Sequence, residues 1–157
     1  MLISLLGLFV PETFIYMGAE MPKRYKKEIT KLGLVDDGET IRYFYTDALF
    51  DIKDGMYFIT SKKLVIYAQE WLEPATLIEF KDIDHLDIEY NDSFFDDSYV
   101  HLVTHSGDEF WFPLSSEKGR DKLFYKHLEM KTGFKFKKDD DVRGLDSEEE
   151  EQVLETN

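Results

Sequence analysis

The stretch from Gly55 to Gln69, Gly-Met-Tyr-Phe-Ile-Thr-Ser-Lys-Lys-Leu-Val-Ile-Tyr-Ala-Gln, constrains this chain more than any other. Two runs of β-branched and aromatic residues, Met56–Thr60 and Leu64–Gln69, flank a polar Ser61-Lys62-Lys63 turn. Such side chains pack well on a pleated surface, so the segment reads as a β-hairpin.

Strand patterns continue on both sides of it. Upstream, Asp36-Asp37-Gly38-Glu39 is a turn into a strand over Thr40–Phe50, with Ile41, Tyr43 and Tyr45 on one face and Arg42, Phe44 and Thr46 on the other. Asp51–Gly55 closes the first hairpin. Downstream, Pro74 ends a loop and Ala75–Phe80 forms a fourth strand. In the fifth, Leu86, Ile88 and Tyr90 alternate with Asp87, Glu89 and Asn91, which predicts one buried and one acidic face. Tyr99–Thr104 and Glu109–Pro113 are the sixth and seventh strands. A helix then runs from Ser115 or Ser116 to Lys131, with Leu123, Phe124, His127 and Leu128 as its apolar face and Gly133 at the C-cap.

Three short patterns carry a family resemblance. Leu34-x-x-x-Gly38-Glu39-x-Ile41 leads into the first strand, Gly55-x-x-x-x-Thr60-x-x-Lys63 followed by Leu-Val-Ile-Tyr spans the hairpin, and Lys81-Asp82-Ile83-Asp84 marks a bend between strands. Together they resemble bacterial pleckstrin-homology-like and GRAM-like domains over residues 34–133. The resemblance implies a mainly β fold: a split β-barrel of about seven antiparallel strands, one open corner plugged by the C-terminal helix. It also implies self-association. The tryptophan that eukaryotic members carry in that helix is missing, so Phe124 or Leu128 must serve as the anchor. The expected organisation is a helical N-terminal extension over 1–33, the barrel over 34–136, and an acidic disordered tail over 137–157.

Charge narrows the partners. The net charge is −14. From residue 139 onward nine acids face only Arg143, so the tail alone carries −8, with few aliphatic residues to repay the entropy of ordering. Binding to phosphate backbones or anionic headgroups rests on clustered Lys and Arg, which makes nucleic acid a poor partner. The loop Asp51-Ile52-Lys53-Asp54 has one lysine among carboxylates, with Lys62 and Lys63 nearby as the only compensation, so phosphoinositide is disfavoured too.

No enzyme signature is present: there is no cysteine, no Gly-x-Ser-x-Gly elbow and no phosphate-cradling glycine loop. No cofactor and no metal site is expected. Seven acids lie between Asp82 and Asp97, yet Leu86 and His85 stand where a calcium loop needs an oxygen ligand and a glycine. His101 and His105 share a strand face but lie about 13 Å apart, too far to hold one ion.

The apolar opening is the other feature. Leu2, Leu5, Leu6 and Phe9 fall at helical spacing, but the run before Pro11 is far shorter than the roughly 20 residues that span a bilayer. It has none of the basic start of a secretory signal. Lys23, Arg24, Lys26, Lys27 and Lys31 form the one basic block, read as the solvated face of a short helix ending at Gly33. The expected function is therefore a non-enzymatic protein-binding module of a bacterial cytoplasm, forming a homo-oligomer. Its candidate contact residues are Leu2, Leu5, Leu6 and Phe9, with Phe94 and Phe95 in the polar loop after the fifth strand. The alternative, a peripheral membrane adaptor using the apolar opening and the Lys23–Lys31 block, is the less favoured reading.

Overall fold

The computed structural model describes residues 14–91, 93 and 96–134. The strands are β1 (Tyr16–Met17), β2 (Ile41–Tyr45), β3 (Met56–Thr60), β4 (Lys63–Tyr67), β5 (Ala75–Glu79), β6 (Ile83–Glu89), β7 (Ser98–Thr104) and β8 (Glu109–Leu114). Two helices accompany them, α1 (Lys23–Lys31) and α2 (Arg120–Thr132). The strands form two antiparallel sheets, β1-β2-β3-β4-β5 and β6-β7-β8.

The β3–β4 hairpin is buried along its whole length. Its inward residues, Tyr57, Ile59, Leu64 and Ile66, meet the second sheet and α2 in one core with Ile88, Leu102, Phe112 and Phe124. Its outward residues, Met56, Phe58, Val65 and Tyr67, are covered by Tyr16, Tyr25, Ile29 and Leu34 in a second core. A strand buried on both faces has no solvent side to make polar, so the segment is apolar at successive positions. Helix α1 supplies that cover with Tyr25 and Ile29 and leaves its lysines exposed.

The hairpin turn is shorter than the sequence suggests. Lys63 is the first residue of β4, opposite Glu79, and only Ser61 and Lys62 form the loop. Thr60 causes this: its hydroxyl oxygen accepts from the N–H groups of Lys62 (3.1 Å) and Lys63 (3.0 Å) and closes the turn at once. Strand β2 likewise ends at Tyr45 rather than Phe50. The Thr46 hydroxyl donates to the Gly55 carbonyl (2.6 Å), and the Ala48 N–H donates to the same hydroxyl oxygen (3.2 Å), which turns the chain out of the sheet.

The two sheets do not close into a barrel. Between β5 and β6 a single 3-10 turn, Phe80–Asp82, redirects the chain, and no ladder joins the sheets there. The open corner is filled by α2, whose Phe124 and Leu128 are fully buried, so either can anchor the helix. The buried stripe is Asp121, Phe124, Tyr125 and Leu128; Leu123, expected inside, is 45% exposed. No serine caps this helix. Ser115 Oγ accepts from the Glu117 N–H (3.3 Å), a 3-10 turn follows, and Gly119, at φ 64°, is the N-cap.

The N-terminal extension contains a strand as well as a helix: β1 pairs Tyr16 with Phe44 and Met17 with Tyr43. The expected helix over Leu2–Phe9, the contact residues Leu2, Leu5, Leu6, Phe9, Phe94 and Phe95, and the acidic tail all lie outside the described residues. Among the described residues no helix is long and apolar enough to cross a membrane.

Candidate functional site

Two loops and the turn before α2 meet at one end of the two sheets. The chain leaves β2 at Tyr45 and continues through Asp47; it leaves β6 at Glu89 through Tyr90 and Asn91 and enters β7 through Asp96 and Asp97; it leaves β8 through Ser115–Glu117. Between them lies an open cleft of about 780 Å³. Among the described residues its lining holds five carboxylates (Asp47, Glu89, Asp96, Asp97, Glu117) and three tyrosines (Tyr45, Tyr90, Tyr99), without a lysine or arginine.

Tyrosines hold two of these acids. The Tyr45 hydroxyl donates to Asp97 Oδ2 (2.9 Å), and the Tyr57 hydroxyl donates to Asp47 Oδ2 (3.3 Å). Tyr45 is buried and stacks on Tyr57, with ring centroids 6.2 Å apart, and Tyr57 stacks in turn on Phe112 at 5.5 Å. Gly55 makes room for Asp47, because a Cβ at residue 55 would collide with Asp47 Oδ1. Its φ of −174° is open to any residue, so space is the reason for glycine.

The electrostatics of Asp47 and Asp97 follow from dehydration. Burial pushes the Asp97 carboxyl up; the Tyr45 hydrogen bond offsets this in part, and Asp96 adds to it. Burial also raises Asp47, against hydrogen bonds from its own backbone and Tyr57, with Asp97 adding repulsion. The Tyr45 and Tyr57 phenols rise well above their ordinary value, through burial and the adjacent carboxylates. Tyr90 is pushed up to about 12 by burial, then by Asp121 and Glu129. Tyr45 and Tyr57 stay neutral donors, and the Asp47 and Asp97 carboxylates are less comfortable here than in water.

The seven-acid run from Asp82 to Asp97 is thus divided. Asp84 pairs with His105 Nδ1 (3.0 Å), Asp87 accepts from the Ile88 N–H (2.8 Å), and Glu89, Asp96 and Asp97 reach the cleft. Among the described residues no three of His, Asp and Glu converge as a metal site. The histidines sort differently from their sequence spacing. His101 stacks on Trp111 (centroids 4.0 Å apart) and lies near His85 (5.7 Å) on the outer face of the three-stranded sheet, with Glu109 2.7 Å from its Nε2. Cross-strand neighbours are invisible to spacing along one strand.

The basic residues near the first hairpins do not act together. Lys53 is held by Asp51 (3.2 Å). Lys63 is buried and belongs to a cluster with Asp36 and Glu39. The Ser61-Lys62 turn lies at the opposite end of β3 from the loop that carries Lys53.

No protein-family model matches the chain, and no curated protein matches it. Solved structures do. A DUF1696-family protein with a pleckstrin-homology domain from Shewanella loihica PV-4 superposes with a TM-score of 0.51 at 17% identity, over 68% of this chain and 92% of that one. A pleckstrin-homology domain from Shewanella amazonensis SB2B gives 0.50 at 15% identity, over 71% and 98%. A pleckstrin-homology-domain-containing protein from Exiguobacterium sibiricum 255-15 gives 0.51 at 17% identity, over 72% of this chain and 61% of that one. With two antiparallel sheets, a C-terminal helix across the open corner and these neighbours, the chain has the fold of a bacterial pleckstrin-homology-like domain.

Proposed function

We propose that this chain is a non-enzymatic protein-binding module whose cleft takes a basic side chain, arginine above all, from a partner protein. One observation carries the reading: five carboxylates and three tyrosines converge on one cleft, and among the described residues its only cationic neighbours are Lys118 beside Glu117 (4.0 Å) and Lys122 over the Tyr90 ring (5.8 Å), at one margin. An arginine entering it would relieve the repulsion among Asp47, Asp96 and Asp97 and lay its guanidinium on the exposed Tyr99 ring, a pairing worth about 0.5–2 kcal/mol according to desolvation. The planar fork also suits bidentate contact with Asp97 or Asp47. The lining hydroxyls favour binding over chemistry. Ser116 Oγ donates to the Ser93 or Asp96 carbonyl (3.3 Å each), and Ser115 Oγ faces the Glu117 N–H, so neither is paired with a base.

The test is calorimetric titration with a short arginine-rich peptide, beside its citrulline analogue of the same shape without charge. Binding of the first and not the second, abolished by Asp97→Asn with Asp47→Asn, supports the reading. Equal binding by the double variant would mean diffuse attraction to an acidic protein and would overturn it.

A further inference from the structure

The outer face of the three-stranded sheet runs directly into the acidic cleft. In the β6–β7 and β7–β8 ladders Tyr99 faces Glu89 on one side and Pro113 on the other, while His101 faces Asp87 and Trp111. Tyr99 and Glu89 also line the cleft, so the first of these rows belongs to both surfaces. The second row ends in Trp111, exposed on the edge strand β8. Strands β6, β7 and β8 contain no lysine or arginine, and Asp87, Glu89 and Glu109 stand among their exposed residues. A partner on this face meets negative charge and aromatic rings together.

Trp111 is held in place as well as exposed. One face of its indole stacks on His101, with ring centroids 4.0 Å apart and planes 13° from parallel, and its Nε1 donates to Glu109 Oε1 (3.2 Å). The same Glu109 oxygen lies 2.7 Å from His101 Nε2, so indole, imidazole and carboxylate fix one another. With His101 on one face and 59% of the residue exposed, the other indole face is open. A ring already fixed loses little rotamer freedom when a ligand settles on it. Tryptophan is the strongest aromatic acceptor of a cation, and the Glu109 carboxylate beside it attracts the same charge.

We infer that Trp111 and Glu109 form a second cation site, and that the partner segment is extended and carries two arginines separated by one residue, one at Tyr99 and the other on Trp111. The spacing comes from the ladder. Tyr99 faces Pro113, two residues along β8 from Trp111, so Tyr99 and Trp111 are diagonal neighbours roughly 7–8 Å apart. In an extended chain alternate side chains point to the same side and stand about 6.8 Å apart. Such a segment sets one guanidinium on each ring, whereas adjacent arginines would point to opposite sides. The inference rests on the arginine reading of the cleft and adds to it a second site and a spacing.

Three capped peptides, Arg-Ser-Arg, Arg-Ser-citrulline and Arg-Arg-Ser, each between glycine-serine flanks, are titrated into the full chain by calorimetry. Arg-Ser-Arg should bind about tenfold more tightly than Arg-Ser-citrulline, the gain of one partly desolvated cation on an indole. Trp111→Leu should lower Arg-Ser-Arg to the affinity of the citrulline peptide. A second measurement needs no change at the site. The chain has two tryptophans, so Trp71→Phe leaves Trp111 as the only indole, and its emission should change saturably with Arg-Ser-Arg and stay constant with Arg-Ser-citrulline. An equal gain for Arg-Arg-Ser, a gain that survives Trp111→Leu, or constant Trp111 emission would overturn the inference and leave the cleft reading standing. Failure of Arg-Ser-citrulline to bind at all would remove the cleft reading and the second site with it.

Discussion

Lys63 Nζ lies 3.2 Å from Glu39 Oε2, with the glutamate side chain wholly buried and the lysine side chain 9% exposed. Thr60 donates to the other oxygen of Glu39, the Asp36 N–H donates to Glu39 Oε2 (2.9 Å), and Lys63 Nζ also reaches Asp36 Oδ2 (3.0 Å). The turn before β2 and the β3–β4 hairpin, distant in sequence, are thereby locked together. Gly38 at φ 76° and Glu39 belong to one sequence pattern, Thr60 and Lys63 to another, and the two meet in this cluster.

Lys63→Met should cost about 3 kcal/mol, because it leaves Glu39 buried without its cation. Glu39→Leu with Lys63→Met should recover most of that loss, since replacing both members of a buried pair by apolar groups is often nearly neutral. Urea unfolding of the single and double variants measures both. A loss under ~1 kcal/mol in the single variant would mean the cluster is not a lock.

The same cluster sets a pH dependence. Burial pushes the Glu39 carboxyl up, but hydrogen bonds from Thr60, the Asp36 N–H and Lys63, with the lysine charge, outweigh it and hold it below its ordinary 4.5. A group depressed on folding stabilises fully above its unfolded value and loses that contribution as pH falls through the folded one. Melting temperature should therefore fall below about pH 4.5, and Glu39→Gln should flatten this acid limb. At the alkaline end, burial lowers Lys63 but Asp36 and Glu39 raise it on balance. Its contribution is complete below 10.5 and disappears as pH rises through the higher folded value.

The cleft acids act in the opposite sense. Asp97 and Asp47 are raised on folding, so their ionised forms oppose folding near neutral pH, and stability from these sites grows as pH falls toward the raised values. Asp97→Asn should raise the melting temperature at pH 7 by roughly 2 °C while weakening arginine-peptide binding. Thermal unfolding at pH 7 and pH 4 checks this: the gain should vanish at the lower pH. A loss of stability at pH 7 would mean that the Tyr45 hydrogen bond outweighs the dehydration.

Gly55→Ala should leave the fold intact and disturb the cleft. The extended backbone accepts alanine, so the added Cβ displaces the movable Asp47 carboxylate and breaks its contact with Tyr57. The expected cost is within about 1 kcal/mol, accompanied by weaker peptide binding. A cost above ~3 kcal/mol would show that the loop backbone, not the side chain, gives way.

At Phe124→Ala the loss should be about 3–5 kcal/mol, the usual range for truncating a buried aromatic residue. Its ring is fully buried and meets Phe112 and Tyr43, at 6.3 and 6.1 Å, where α2 fills the gap between the sheets. Leu123→Ala, one residue away and 45% exposed, should cost far less. Similar losses in the two variants would mean the helix packs through a different stripe.

Local chemistry made much of the fold legible. β-branched and aromatic runs located the β3–β4 hairpin and the strands after it, and the break to a 3.6-residue period located α2. Glycine positions marked the helix ends, and Gly33 and Gly133 do take positive φ there, 68° and 78°. These effects act over a few residues, so a sequence displays them. The expected first strand, Thr40–Phe50, is too long because the Thr46 hydroxyl bonds the Gly55 carbonyl, a partner in another segment. Of the cleft, the run ending in Asp96 and Asp97 was visible as acid without a purpose. Tyr45, Asp47, Tyr90, Tyr99 and Glu117 carried no common signal, because four separate segments bring them together. Their shared feature, an end position on strands that finish at the same edge, is the one trace a sequence could have offered. Lys63 shows the division most plainly: its charge is written in the sequence, but whether that charge faces solvent or neutralises Glu39 is decided by burial, which only the packed sheets create.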